Sequence, residues 1–150
     1  LSKAKQLLED NSDNFELPQD VAVDADGARK EMDIAQIPSS ASVLDVGEKT
    51  IDHYSKFIRG AGTVFMSGPP GAFEYDEFAK GTEMLLKSMA ASFGTTIVSG
   101  GHLTASLSKF GIQDSIDHVS TAGGALVQYL AGKRLPLMDA LERSARKWSQ

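Results

Sequence analysis

The chain has 150 residues, of which 41% are hydrophobic and 23% charged, with a formal net charge of −5 and no cysteine. This balance describes a folded globular chain, and it excludes disulfides, thiolate zinc sites and the basic surface that displaces counterions from nucleic acid. No apolar run is long enough to span a bilayer, so neither nucleic acid nor a membrane is an expected partner and the cytoplasm is the expected setting.

Leu1, Ala4, Leu7 and Leu8 form an amphipathic helical stripe that ends in the polar run Glu9-Asp-Asn-Ser-Asp-Asn14. The stripe starts without an N-cap or signal-peptide flanks, so the sequence reads as part of a longer chain. Phe15 to Val23 ends in β-branched residues and predicts a strand, with Asp24-Ala-Asp-Gly27 as a turn and Arg29 to Ile37 irregular. After Pro38-Ser-Ser40 comes a short strand over Ser42 to Val46, closed by Gly47. Ile51, Tyr54 and Ile58 then share one helical face, with Gly60 and Gly62 as terminators.

Three glycine-rich junctions follow. The strand Thr63 to Met66 runs into Ser67-Gly-Pro-Pro-Gly71, where prolines remove N–H donors and glycines allow close approach of a flat or charged group; a rigid connection is the alternative. Beyond Glu74, Phe78, Leu85, Leu86, Met89 and Phe93 predict a helix up to Gly94. The strand Thr95 to Ser99 breaks at Gly100-Gly101 into a helix through Leu103, Leu107 and Phe110, stopped by Gly111. The strand at His118 breaks at Gly123-Gly124 into a helix through Leu126, Val127 and Leu130, closed by Gly132, and a last helix starts near Pro136 with Leu137 and Leu141 on one face.

Strands alternating with helices predict an α/β fold, a Rossmann-like parallel sheet with helices on both faces, whose ligands bind beyond the strands' C-terminal ends. All three junctions fall there. The first-turn N–H groups of a helix have no intrahelical acceptor and carry the positive end of the dipole, so Gly100, Gly101 and His102 can hold phosphate oxygens. One such junction also serves as an ordinary βα turn; three on one edge favour a phosphorylated ligand. Neither a P-loop nor a G-x-G-x-x-G fingerprint is present. The histidines, at 53, 102 and 118, are too scattered for a metal-ligand motif, and no residue is assigned as a direct metal ligand.

Taken together, Ser67-Gly-Pro-Pro-Gly-Ala-Phe-Glu74, Phe78-Ala-Lys-Gly-Thr82, Thr95-Thr-Ile-Val-Ser-Gly-Gly-His102 and His118-Val-Ser-Thr-Ala-Gly-Gly-Ala125 resemble the nucleotide-binding half of phosphoglycerate kinase. That family's C-terminal domain carries NGPMGVFE, FAKGT, TIVGGGDS and HVSTGGGA in this order, and the likeness can be followed from Leu17 to Leu141. The resemblance implies reversible phosphoryl transfer between 1,3-bisphosphoglycerate and ADP, giving 3-phosphoglycerate and ATP, with magnesium, in glycolysis. It further implies that residues 1–150 are a partial nucleotide-binding domain, with the N-terminal substrate domain absent and the chain alone inactive. By the same likeness Glu74 bonds the ribose of ATP or ADP, Ser67 and the junction of Gly100, Gly101, His102 and Leu103 contact the nucleotide, and Gly123 and Gly124 lie beside the transferring phosphoryl group. Ser67 replaces the family's usual asparagine, Ala122 one glycine, and His102 a metal-associated aspartate, the last as in archaeal members. Absence of the domain's first strands implies an apolar sheet edge open to self-association. The competing reading is a non-catalytic α/β nucleotide-binding or interaction module.

Overall fold

A computed structural model describes residues 2–38 and 40–148; Leu1 of the first stripe and Ser39 of the Pro38 turn lie outside the described residues. Helix α1 (Ser2–Asp10) buries no residue, since every side chain on it except Leu8 is exposed. Strand β1 (Asp20–Ala25) turns at Asp26-Gly27 into β2 (Ala28–Asp33), and β3 (Val43–Val46) pairs with the other side of β1, giving an antiparallel sheet ordered β2-β1-β3.

The hairpin corrects the irregular reading of Arg29 to Ile37. Only a 3-10 turn over Ile34–Gln36 follows the strand. The β2 sequence Ala-Arg-Lys-Glu-Met-Asp has weak strand propensity, and ladder pairing with β1 decides its conformation. β1 also starts later than the sequence suggests, at Asp20, and β3 belongs to this antiparallel sheet.

Helix α2 (Glu48–Gly60) follows Gly47, which has no side chain to cap it. Asp20 on β1 supplies the cap instead: its carboxylate accepts from the N–H groups of Lys49 (3.0 Å) and Thr50 (2.8 Å), two of the orphan donors of the first turn. Gly60 is the last residue of α2, and the extended Ala61 follows as its C-cap.

Strands β4 (Thr63–Ser67), β5 (Thr95–Ser99) and β6 (His118–Ser120) form a parallel sheet in the order β4-β5-β6. They are linked through α3 (Lys80–Ala90) and α4 (Gly101–Phe110), so the α/β fold with a helix-flanked parallel sheet is the one found. Leu86 and Met89 of α3, Val98 of β5, Leu103 and Leu107 of α4, and Ile116 make the core, with Val64, Met66 and Val119 packed against it. Each fully buried aliphatic side chain there contributes roughly 1.5–3 kcal/mol of transfer free energy. Two sequence positions fall outside α3: Phe78 sits in a 3-10 turn before it, and Phe93, past its end, is fully exposed. Helices α5 (Gly123–Leu130) and α6 (Pro136–Trp148) bury no residue, and α6 exposes Leu137, Leu141 and Trp148.

Candidate functional site

The register of the parallel sheet aligns Ser67, Ser99 and Ser120 across the ends of β4, β5 and β6. Every strand in this sheet points the same way, so the three glycine junctions that leave these residues share one edge. Gly100 is fixed there by its N–H, which donates to Ser120 O at 2.8 Å, and the Ser99 hydroxyl donates to Ala122 O at 3.1 Å. A Cβ on Gly123 would touch Gly100 Cα at 3.5 Å, so the second and third junctions lie against each other.

Gly100 has φ +109° and ψ 147°, a conformation that residues with a Cβ rarely adopt, and it turns the chain directly from β5 into α4. Its carbonyl accepts from the Thr104 N–H (3.0 Å) and the Thr104 hydroxyl (3.1 Å), closing the first turn of the helix. The amides of Gly101, His102 and Leu103 are the remaining first-turn donors. Leu103 is buried as a whole residue and anchors the first turn in the core, whereas Gly101 and His102 are exposed, so theirs are the first-turn amides open to a ligand. At the neighbouring junction α5 begins at Gly123, which leaves Gly124 and Ala125 with first-turn amides of the same kind. The positive ends of two helix dipoles thus meet beside the Gly100–Gly123 contact.

The first junction is built differently. Gly68 takes a positive φ, and the loop then folds onto β3, where Ala72 N–H donates to Leu44 O at 2.8 Å and Gly71 N–H to the Thr82 hydroxyl at 3.2 Å. Asp45, with a side chain fully buried, fills the space beneath: a Cβ on Gly71 would lie 2.3 Å from its Oδ1, and one on Gly81 2.2 Å from the same atom. Both glycines are therefore demanded by a buried carboxylate. Asp45 accepts from Gly81 N–H and from Arg29 Nη1, each at 2.8 Å. Arg29 also donates to Val46 O (2.8 Å), Glu31 and Glu77 O (3.3 Å), which ties β2 to β3 and to the loop. Burial alone would lower the Arg29 pKa, but the hydrogen bonds and charges of Asp45 and Glu31 outweigh it and raise the value above its ordinary one.

Residues 72–75 form a turn closed by Tyr75 N–H to Ala72 O (3.0 Å), with Phe73 buried and Glu74 exposed. Lys109, near the end of α4, donates to Phe73 O at 2.8 Å and to Asp76 at 2.7 Å, and this ammonium holds the Asp76 carboxyl below the usual range.

Arg29, Asp45 and Lys109 were not among the residues singled out from sequence. An aspartate inside the apolar run Val-Leu-Asp-Val was the available signal, because a buried carboxylate must be paired. His53 and His118 lie away from the glycine junctions: His53 pairs with Glu16 at 3.0 Å and meets the Phe57 ring edge-on, and His118 is exposed on β6. Two apolar hollows, of about 590 and 370 Å³, also lie elsewhere, against α2 and the outer side of β4, lined by Phe57 with Lys56 and Gly60, and by Tyr54, Phe57, Phe65 and Met66.

Comparison with known proteins gives a consistent result. The family model described as phosphoglycerate kinase matches residues 1–133. The phosphoglycerate kinase of Methanopyrus kandleri is 43% identical over 141 residues, which cover 94% of this chain and 35% of that protein. Among solved structures, phosphoglycerate kinase from Pyrococcus horikoshii OT3 superposes with a TM-score of 0.87 at 34% identity, covering 98% of this chain and 37% of its own. The enzyme from Coxiella burnetii gives 0.81 at 37% identity, with 88% and 36% covered. The chain thus spans about a third of the length of the relatives it matches.

Proposed function

This chain belongs to the phosphoglycerate kinase family, and from that premise we propose that residues 1–150 form the nucleotide-binding part of such an enzyme, acting on ATP or ADP. The observation that carries the reading is the meeting of the α4 and α5 N-termini at the Gly100–Gly123 contact, on the edge of the sheet where its strands end. Free first-turn amides and converging dipoles fit a chain of phosphates. In this reading the junction of Gly100, Gly101, His102 and Leu103 binds the nucleotide phosphates, with the exposed amides of Gly101 and His102 foremost, Glu74 bonds the ribose and Ser67 borders the nucleotide. Gly123 and Gly124 lie beside the transferring phosphoryl group.

The parent reaction passes a phosphoryl group between 1,3-bisphosphoglycerate and ADP, giving 3-phosphoglycerate and ATP. Such transfers rest on positioning and charge stabilisation, with no protein nucleophile, and backbone amides supply both. Magnesium, as the nucleotide's companion ion, would neutralise phosphate charge. Among the described residues no group of three or more His, Cys, Asp or Glu side chains is gathered to hold a metal, and the His102 imidazole is a poor ligand for so hard a cation. Such an ion would be met by phosphate oxygens and water, and the protein's part would be to fix the phosphates. The phosphoglycerate side belongs to a substrate domain beyond these residues, the setting is the cytoplasm, and the outer side of β4 is a surface for self-association.

Calorimetric titration of the chain with magnesium ADP tests the reading: saturable binding supports it, and no binding overturns it. The chain alone is expected to show no turnover, because donor and acceptor sites must close on each other. Turnover regained when the rest of a family member is supplied separates a kinase part from a non-catalytic binding module.

A further inference from the structure

We infer that Lys109 is a positioning residue for nucleotide selectivity, which sets the direction of Glu74 by holding the peptide between Phe73 and Glu74; the inference rests on the nucleotide reading of the site. That peptide is the central one of the turn over residues 72–75, closed at 3.0 Å between Ala72 O and Tyr75 N–H. Rotation of the central peptide is what separates a type I from a type II turn, so it is the softest part of such a turn. Its carbonyl, Phe73 O, accepts from Lys109 Nζ at 2.8 Å, and with the carbonyl pinned, Glu74 N–H and Cα are oriented too.

The same ammonium bonds Asp76 at 2.7 Å, immediately after the turn, so both sides of Glu74 are gripped from one point. The Phe73 ring is buried with 7% exposed, which prevents the turn from following Lys109 outward. Stability is a poor account of this arrangement. The Asp76 side chain is 91% exposed, and an ion pair so open to water adds little to folding. A charged donor on one particular carbonyl is instead a geometric restraint. Its source also matters: Lys109 sits on α4, the helix whose first turn forms the phosphate junction at Gly100. From Gly101 to Lys109 the helix rises about 12 Å as one rigid rod. One element therefore holds both the phosphate junction and the turn that carries Glu74.

Glu74 is assigned to the ribose hydroxyls, so the readout is the preference for ADP over 2′,3′-dideoxy-ADP, each titrated with magnesium. The preference in the parent chain should be more than about tenfold, the lower end of what one charged hydrogen bond supplies. Lys109→Met should reduce it to about twofold by weakening ADP while leaving dideoxy-ADP unchanged, and Lys109→Arg should restore it. In a Glu74→Ala background Lys109→Met should add no further loss. Equal weakening of both nucleotides by Lys109→Met means a merely structural role, and an unchanged preference means no role; either overturns the inference while the nucleotide reading stands. A parent chain that binds neither nucleotide overturns both.

Discussion

At the scale of single residues, acidic side chains a few positions apart have different work to do. Glu74 and Glu77 are both exposed, but Glu74 lies in the turn that leaves the Gly-Pro-Pro-Gly loop, whereas Glu77 lies in the 3-10 turn leading to α3 and gives its carbonyl to Arg29. Glu74→Ala should weaken magnesium ADP by roughly 1.5–3 kcal/mol, the value of a hydrogen bond to a charged group, while Glu77→Ala changes little. Equal affinities for the two variants in calorimetric titration would reject the assignment. Asp45 and Arg29 affect stability instead. Removing one partner of a buried pair strands the other, so Arg29→Met should cost about 3 kcal/mol in urea unfolding, with Lys30→Met, on the same strand but exposed, as the neutral comparison.

Among the elements, α2 depends on a cap from another strand, and this has a sign in pH. Burial would raise the Asp20 pKa, but the bonds from the Thr50 hydroxyl and the Thr50 and Lys49 amides, with the Lys49 charge, hold it below the ordinary value. Asp117 is lowered as well, by the Thr96 amide and hydroxyl. A carboxylate with a depressed folded pKa contributes stability above its unfolded value of about 4, and that contribution disappears as pH falls through the folded value. The urea midpoint should therefore drop below about pH 4. Asp20→Asn should lower the midpoint at pH 7 and flatten its acid slope, the loss at pH 7 being on the order of 1–2 kcal/mol, because the amide NH2 can no longer accept one of the two N–H bonds and the charge at the helix N-terminus is gone. An acid slope unchanged in Asp20→Asn would show that the cap does not carry it.

For the whole molecule, the uneven distribution of burial is the main fact. One core cluster lies between α3, α4 and one face of the β4-β5-β6 sheet and further burial gathers at Val21 to Val23 and Ile51, while β4 is paired only with β5 among the described residues and shows Phe65 at 39% and nearby Phe57 at 53% exposure. An edge strand bordered by apolar side chains is a template for pairing. Sedimentation of the chain should show concentration-dependent association, which Phe57→Glu reduces without loss of helical signal. A cooperative monomer at all concentrations would count against this surface.

The sequence by itself determined the β4-α3-β5-α4-β6 unit and its glycine junctions, because local signals there agree: β-branched runs, helical spacing of Leu103 and Leu107, and Gly111 with φ +67° as a left-handed stop. It also carried the family likeness, since the motifs are contiguous. The tertiary structure alone decided what depended on partners distant in the chain. Strand β2 exists because β1 offers it a ladder, and Gly71 and Gly81 are glycines because Asp45, more than 20 residues earlier, occupies their Cβ space. The cap of α2 comes from a strand nearly 30 residues away, and Lys109 reaches the Glu74 turn across 36 residues of sequence. Periodicity and turn chemistry report on neighbours within a few residues; hydrogen bonds closed by long loops leave no such period, so only the folded chain reveals them.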